Sequence, residues 1–206
     1  MQSAEFNADS HFAIARTRNR AAREPSSHAW IKTEARCVLL KSKINKKENM
    51  QRIDYAKAAP GAYHAMLGLE HYLHDSGLEE PLLHLIKLRA SQINGCAYCL
   101  DMHWKDLKAI GEQDQRLYEL DAWEESPFYS ERERSALAWT EAVTRVAESR
   151  VPDELYNEVR KQFSEKELAD LTLAIATINA WNRLAISART VPGTYQPAKV
   201  RLKQPA

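Results

Sequence analysis

The chain has 206 residues, 44% of them hydrophobic, which is enough for one domain with a substantial core. Its 29 Lys and Arg against 28 Asp and Glu leave a formal charge of +1, so nothing global points to a nucleic-acid partner. No apolar run is long enough to span a membrane, no N-terminal apolar stretch signals secretion, and three cysteines cannot staple a secreted domain of this size, so a reducing cytoplasm is expected.

Residues 1–49 differ from the rest. They carry a charge of +5, against −4 for the remainder, with Arg16, Arg18, Arg20 and Arg23 among small and polar residues and Val38-Leu39-Leu40 as the one compact apolar cluster. This basic leader reads as mostly disordered, and Cys37 stands alone in it. An Arg-rich targeting peptide is one reading, opposed by Glu5, Asp9 and Glu24; a translation artefact ahead of a natural start at Met50 is another.

The body, residues 50–206, reads as all-α. Glycine is scarce, with 6 residues, and no segment shows sustained period-two alternation. Pro60 opens a helix that stops at Gly77. A second covers about Pro81 to Ser91, followed by a short Gln92–Gly95 connection and a helix ending near Gly111. Glu112 to Leu120 is a short helix. Ser130 with Glu133 and Ser164 with Glu167 are capping boxes, opening helices to about Glu148 and Ile186, and Pro152 starts a short helix between them. From Leu171 to Ile186 apolar residues point in nearly every direction, which predicts a central core helix that also serves as a subunit interface.

The chemistry concentrates in Asn94-Gly95-Cys96-Ala97-Tyr98-Cys99-Leu100-Asp101-Met102-His103. On a helix Cys96, Cys99 and His103 share one face. Thiols three residues apart can bridge reversibly, a helix N-terminus favours thiolate, and an imidazole one turn on can take or give the proton. Asn94 or Gly95 would cap the helix, and Arg89 would add positive charge if it turned toward the pair. A redox pair is the leading reading. Zinc held by Cys96, Cys99, His103 and His84 is an alternative, and inert packing of two buried cysteines is another. No flavin, haem, nucleotide or other metal motif is visible, so no cofactor is expected. His71 and His74 read as a solvated helix face, Trp139 and Trp181 as core, and Tyr98 as an aromatic packing residue.

The stretch from Leu88 to His103 resembles the core motif of AhpD-like alkylhydroperoxidases, in the carboxymuconolactone decarboxylase superfamily, and Ile178-Asn179-Ala180-Trp181-Asn182-Arg183-Leu184 resembles that family's C-terminal helix. The likeness covers roughly residues 50 to 198. It implies an all-α homo-oligomer, commonly a trimer or hexamer, that reduces peroxides with electrons from a thiol- or lipoyl-bearing partner. It gives peroxide attack to Cys99, resolution to Cys96 and proton transfer to His103. The family's relay glutamate, twelve residues before the first cysteine, falls on His84 here. A histidine there would relay protons with an ionisation near neutrality; the bland alternative is a helix position with no role. A thiol–disulfide oxidoreductase and a non-catalytic redox sensor are the rival functions.

Overall fold

Local sequence signals set the helix boundaries. In the computed structural model, which describes residues 51–197, nine α-helices and one 3-10 turn are present, with no strand among the described residues. They are α1 (Tyr55–Ala58), α2 (Pro60–His74), α3 (Glu80–Asn94), α4 (Ala97–Ala109), α5 (Asp114–Tyr118), the 3-10 turn Leu120–Ala122, α6 (Glu131–Thr144), α7 (Val146–Ser149), α8 (Asp153–Val159) and α9 (Glu165–Ala188). The all-α expectation holds. The basic leader with Cys37, and the last residues of the chain, lie outside the described residues.

Both capping boxes form. Ser130 and Ser164 each accept from the backbone N–H of the residue three on, while Glu133 and Glu167 accept from the cap N–H at 2.8 Å. Two boundaries move. The helix from Ser130 stops at Thr144 and restarts as α7. α3 runs on to Asn94, leaving Gly95 and Cys96 as its whole connection to α4.

That connection is a Schellman turn. Gly95 adopts φ +69°, the Cys96 N–H donates to the Ser91 carbonyl at 3.0 Å and the Gly95 N–H to Gln92 at 3.2 Å. Only glycine takes this left-handed conformation without strain.

Helices α3 and α9 form the centre. α3 packs on α4, α6 and α9, and α9 also touches α2 and α5's neighbour α4. Leu82, Leu83, Leu85, Ile86, Leu88 and Ala90 of α3 are buried on more than one face of the helix because partners surround it. One apolar cluster fills the space between α3, α6 and the first half of α9, around Ile86, Trp139, Phe163, Leu171 and Ile175. A second joins α3 to α4 and the α5 region through Leu85, Leu88, Leu107, Leu120 and Leu137. The third is small: Ala90, Cys96, Cys99 and Ile178, with Tyr98, Trp181 and Ala185 against it. The apolar character of α9 is therefore largely used inside one chain; Ala176 and Ile186 face outward.

Ion pairs tie these helices laterally. Glu141 of α6 receives Arg89 Nε at 2.8 Å, Trp123 Nε1 at 2.9 Å and Arg145 at 3.1 Å. Arg89 is thus drawn to α6 and also to Gln92, so it does not supply the charge beside the cysteines that the sequence allowed.

Candidate functional site

The Gly95 turn makes Cys96 the N-cap of α4 and places Cys99 in its first turn. Cys96 itself occupies the cap position expected for Asn94 or Gly95. The Asn94 amide instead donates to Asn179 Oδ1 at 2.9 Å and Asn182 Oδ1 at 2.8 Å, pinning the α3 end to α9. Asn182, fully buried, donates to Ser91 Oγ at 3.1 Å and hydrogen-bonds toward both sulfurs.

Both thiols are free and nearly sealed, Cys96 1% and Cys99 2% exposed. They act as one unit. The Cys99 thiol hydrogen-bonds to Cys96, which, with help from Asn182 and α4 backbone N–H groups and against burial, brings the Cys96 thiol down to about 7. The same bond, burial and the neighbouring charge push Cys99 up. The pair therefore gives up its first proton near neutrality and holds its second.

Cys99, not Cys96, lines a cavity of about 470 Å³. Tyr63, Leu67, Tyr98, Met102 and Trp181 make its apolar wall; His84, His103, Asp106, Glu70 and Lys87 make its polar end. Inside it Lys87 Nζ sits 2.6 Å from Glu70 Oε2, and Trp181 Nε1 donates to Glu70 Oε1 at 2.9 Å. Trp181 is thus a cavity residue as well as a packing one, whereas Trp139 is core as expected. Tyr98 packs beside the cysteines, and burial raises its hydroxyl pKa. His71 and His74 are exposed.

His103 lies one turn after Cys99, 4% exposed, with Nε2 buried and without a hydrogen-bond partner among the described residues. Its Nδ1 turns the other way, 3.5 Å from His84 Nδ1 and 3.6 Å from Asp106 Oδ2. His84 Nδ1 is 3.7 Å from the same carboxylate oxygen. The structure thus brings three of the four sequence-derived candidates to one cavity, Cys99 and His103 from α4 and His84 from α3, while Cys96, the α4 N-cap, stays outside the cavity wall and is hydrogen-bonded to Cys99. The expected ionisation of His84 near neutrality is corrected. Burial, then the His103 ring, push it down to about 4, because charging it would need solvent that α3 and α4 exclude. Burial likewise lowers His103. Burial thus keeps both rings in the neutral form at pH 7.

Four neighbours were not singled out in the sequence. Asp106 is held below the usual carboxylate range, against the effect of burial, by His103 and by the Tyr195 hydroxyl at 2.6 Å. Tyr195 reaches it from the segment after α9, where the Gly193 N–H bonds Asp101 at 3.0 Å and Lys105 bonds the Tyr195 carbonyl at 3.0 Å. Glu70 and Lys87 complete the set. Asp106 at i+3 from His103 was the one findable signal; the others depend on long-range packing.

A zinc site from the two cysteines and two histidines is not what the fold assembles. Among the described residues, the group whose potential ligand atoms all lie within 4.8 Å of one another is His84, His103 and Asp106.

Comparison with known proteins gives the lineage. The carboxymuconolactone decarboxylase family matches residues 60–142. YdfG of Bacillus subtilis, an uncharacterized protein, is 44% identical over 137 residues, spanning 66% of this chain and 93% of YdfG. A crystal structure from Agrobacterium tumefaciens, of a protein of unknown function named as a candidate antioxidant defence protein AhpD, is 46% identical with a TM-score of 0.69, over 71% of this chain and 100% of that one. An uncharacterized peroxidase-related protein from Ralstonia eutropha, described as an alkylhydroperoxidase AhpD core, shares the fold at 19% identity and a TM-score of 0.59, over 68% of this chain and 74% of that one. The chain belongs to the carboxymuconolactone decarboxylase family, in its AhpD-like branch.

Proposed function

We propose that the protein is a thiol-dependent peroxidase, using Cys96 and Cys99 to reduce hydrogen peroxide or small organic hydroperoxides. The observation that carries the reading is a buried thiol pair, poised to lose one proton near neutrality, whose second member alone opens on a cavity beside two neutral imidazoles.

The pair loses its proton to His103, whose Nε2 has no other partner among the described residues. The remaining proton is shared. When it sits on Cys96, Cys99 is the thiolate that faces the cavity. Cys99 attacks the outer peroxide oxygen, the O–O bond breaks, and the departing alkoxide takes the proton back as an alcohol. Cys99 is left as a sulfenic acid. The Cys96 thiol, already beside it, displaces the hydroxyl as water and closes the disulfide. A dithiol donor then reduces the bridge and is itself oxidised to a disulfide.

His84 and Asp106 act behind His103. His84 occupies the position of the family's relay glutamate and lies 3.5 Å from the His103 ring, which favours the relay reading over a role-free helix position. The cavity is larger than hydrogen peroxide needs and suits an organic hydroperoxide or a lipoyl-type donor.

The test is peroxide consumption with dihydrolipoamide or dithiothreitol as the reductant. Catalytic turnover is expected from the wild type and none from Cys99→Ser. A single stoichiometric oxidation with excess reductant present would identify a redox sensor and overturn the peroxidase reading.

A further inference from the structure

The polar end of the cavity has a geometry that proton transfer does not require. His84 Nδ1, His103 Nδ1 and Asp106 Oδ2 form a nearly equilateral triangle with sides of 3.5, 3.6 and 3.7 Å. The two carboxylate edges, at 3.6 and 3.7 Å, are longer than ordinary hydrogen bonds. They suit a different purpose. Ligand atoms about 2.1 Å from a tetrahedral ion lie about 3.4 Å apart, and about 3.0 Å apart around an octahedral one. We propose that His84 Nδ1, His103 Nδ1 and Asp106 Oδ2 bind a divalent transition-metal ion of the zinc type, with the fourth position open to the cavity.

The surroundings fit such a site. Tyr195 donates to Asp106 Oδ1 at 2.6 Å and so leaves Oδ2 as the free oxygen, the usual support for a ligating carboxylate. Lys87, whose charge acts on both rings, is neutralised by Glu70 at 2.6 Å. Two imidazoles and one carboxylate with an open position are a recurring donor set for zinc and iron, and the edge lengths favour the tetrahedral ion. The thiols are not ligands: they stand a turn earlier on α4, and Cys96 lies outside the cavity wall.

Resting on the peroxidase reading, the site is also a regulatory one. An ion on Nδ1 fixes the His103 proton on Nε2. The ring can then donate to a thiolate but cannot take the thiol's proton, so the metal-loaded enzyme is inhibited.

Titration of the full-length reduced chain with Co2+ tests the site. One equivalent should bind with the strong visible absorption of tetrahedral cobalt and without a thiolate charge-transfer band in the near ultraviolet, and Zn2+ should displace it. The Cys96→Ser/Cys99→Ser double variant should bind equally, His84→Ala and Asp106→Asn should not, and Tyr195→Phe should bind on the order of tenfold more weakly. No saturable binding, or binding that survives His84→Ala and is lost with the cysteines, overturns the proposal. Zn2+ inhibition of peroxide turnover, reversed by chelator, is expected in the same preparation. A metal-free chain without turnover that still binds one tetrahedral cobalt refutes the peroxidase reading and upholds the site.

Discussion

At the residue scale the two cysteines have different duties despite matching burial. Cys96 takes the first negative charge and Cys99 has the cavity. Cys96→Ser should therefore still allow Cys99 to form a sulfenic acid, trapped by a dione reagent, while multiple turnover stops; Cys99→Ser should give no sulfenic acid. The shared proton also predicts a pH dependence. Because the lowered thiol pKa favours the thiolate, alkylation by iodoacetamide should rise with pH through a midpoint of about 7. Asn182→Ala removes a donor to the thiolate and should move that midpoint upward, with thermal melting to confirm the fold. A midpoint near that of an ordinary thiol in the wild type would deny the pair its activation. The spacing of Cys96, Cys99 and His103 was legible because it lies within two turns of one helix. His84 came up from the residues only as a possible fourth zinc ligand, and its place as the relay position was legible only through resemblance. Tyr195, 89 residues from Asp106, was invisible, since nothing local to either residue announces the contact.

At the element scale the turn between α3 and α4 sets the site. Gly95 is what lets Ser91 and Gln92 close the α3 terminus while Cys96 caps α4. Gly95→Ala meets no steric neighbour, yet must hold φ +69°, so it should cost ~1 kcal/mol in urea unfolding and slow peroxide reduction by displacing Cys96. The start of α9 has its own acid sensitivity. The Ser164 backbone and side chain, with Arg132, bring Glu167 down to about 2. A depressed carboxylate stabilises the fold above its unfolded pKa of about 4.3 and loses that contribution as pH falls toward the folded value. Glu167→Gln should thus unfold more easily than wild type at neutral pH, with the difference shrinking as acid approaches pH 2. An undiminished difference at low pH would place the effect elsewhere. Caps, prolines and glycines made most helix boundaries readable. The break after Thr144 was not, because Arg145 leaves the helix at φ −101° with no proline or glycine to mark it.

At the scale of the whole molecule, the all-round apolar pattern of α9 has two sufficient causes, and sequence cannot apportion them. Packing by α2, α3, α4 and α6 accounts for Leu171, Ala174, Ile175 and Ile178, so the core-helix half of the expectation is met within one chain. What is left for an interface is the outward Ala176 and Ile186, the latter 45% exposed, with other large apolar residues such as Trp104 and Tyr72 also at the surface. A chain starting at Met50 should keep the fold, because the described core is closed by residues after that point. It should also assemble, as the family resemblance implies, and light scattering at micromolar concentration should report a trimer or hexamer. If α9 contributes the contact, Ile186→Lys should lower the mass while leaving the melting temperature of the isolated subunit almost unchanged, since that side chain adds little to the internal core. A multimer untouched by Ile186→Lys would move the interface away from α9. A clean monomer from the Met50 chain would mean that the apolar faces of α9 serve the internal core alone.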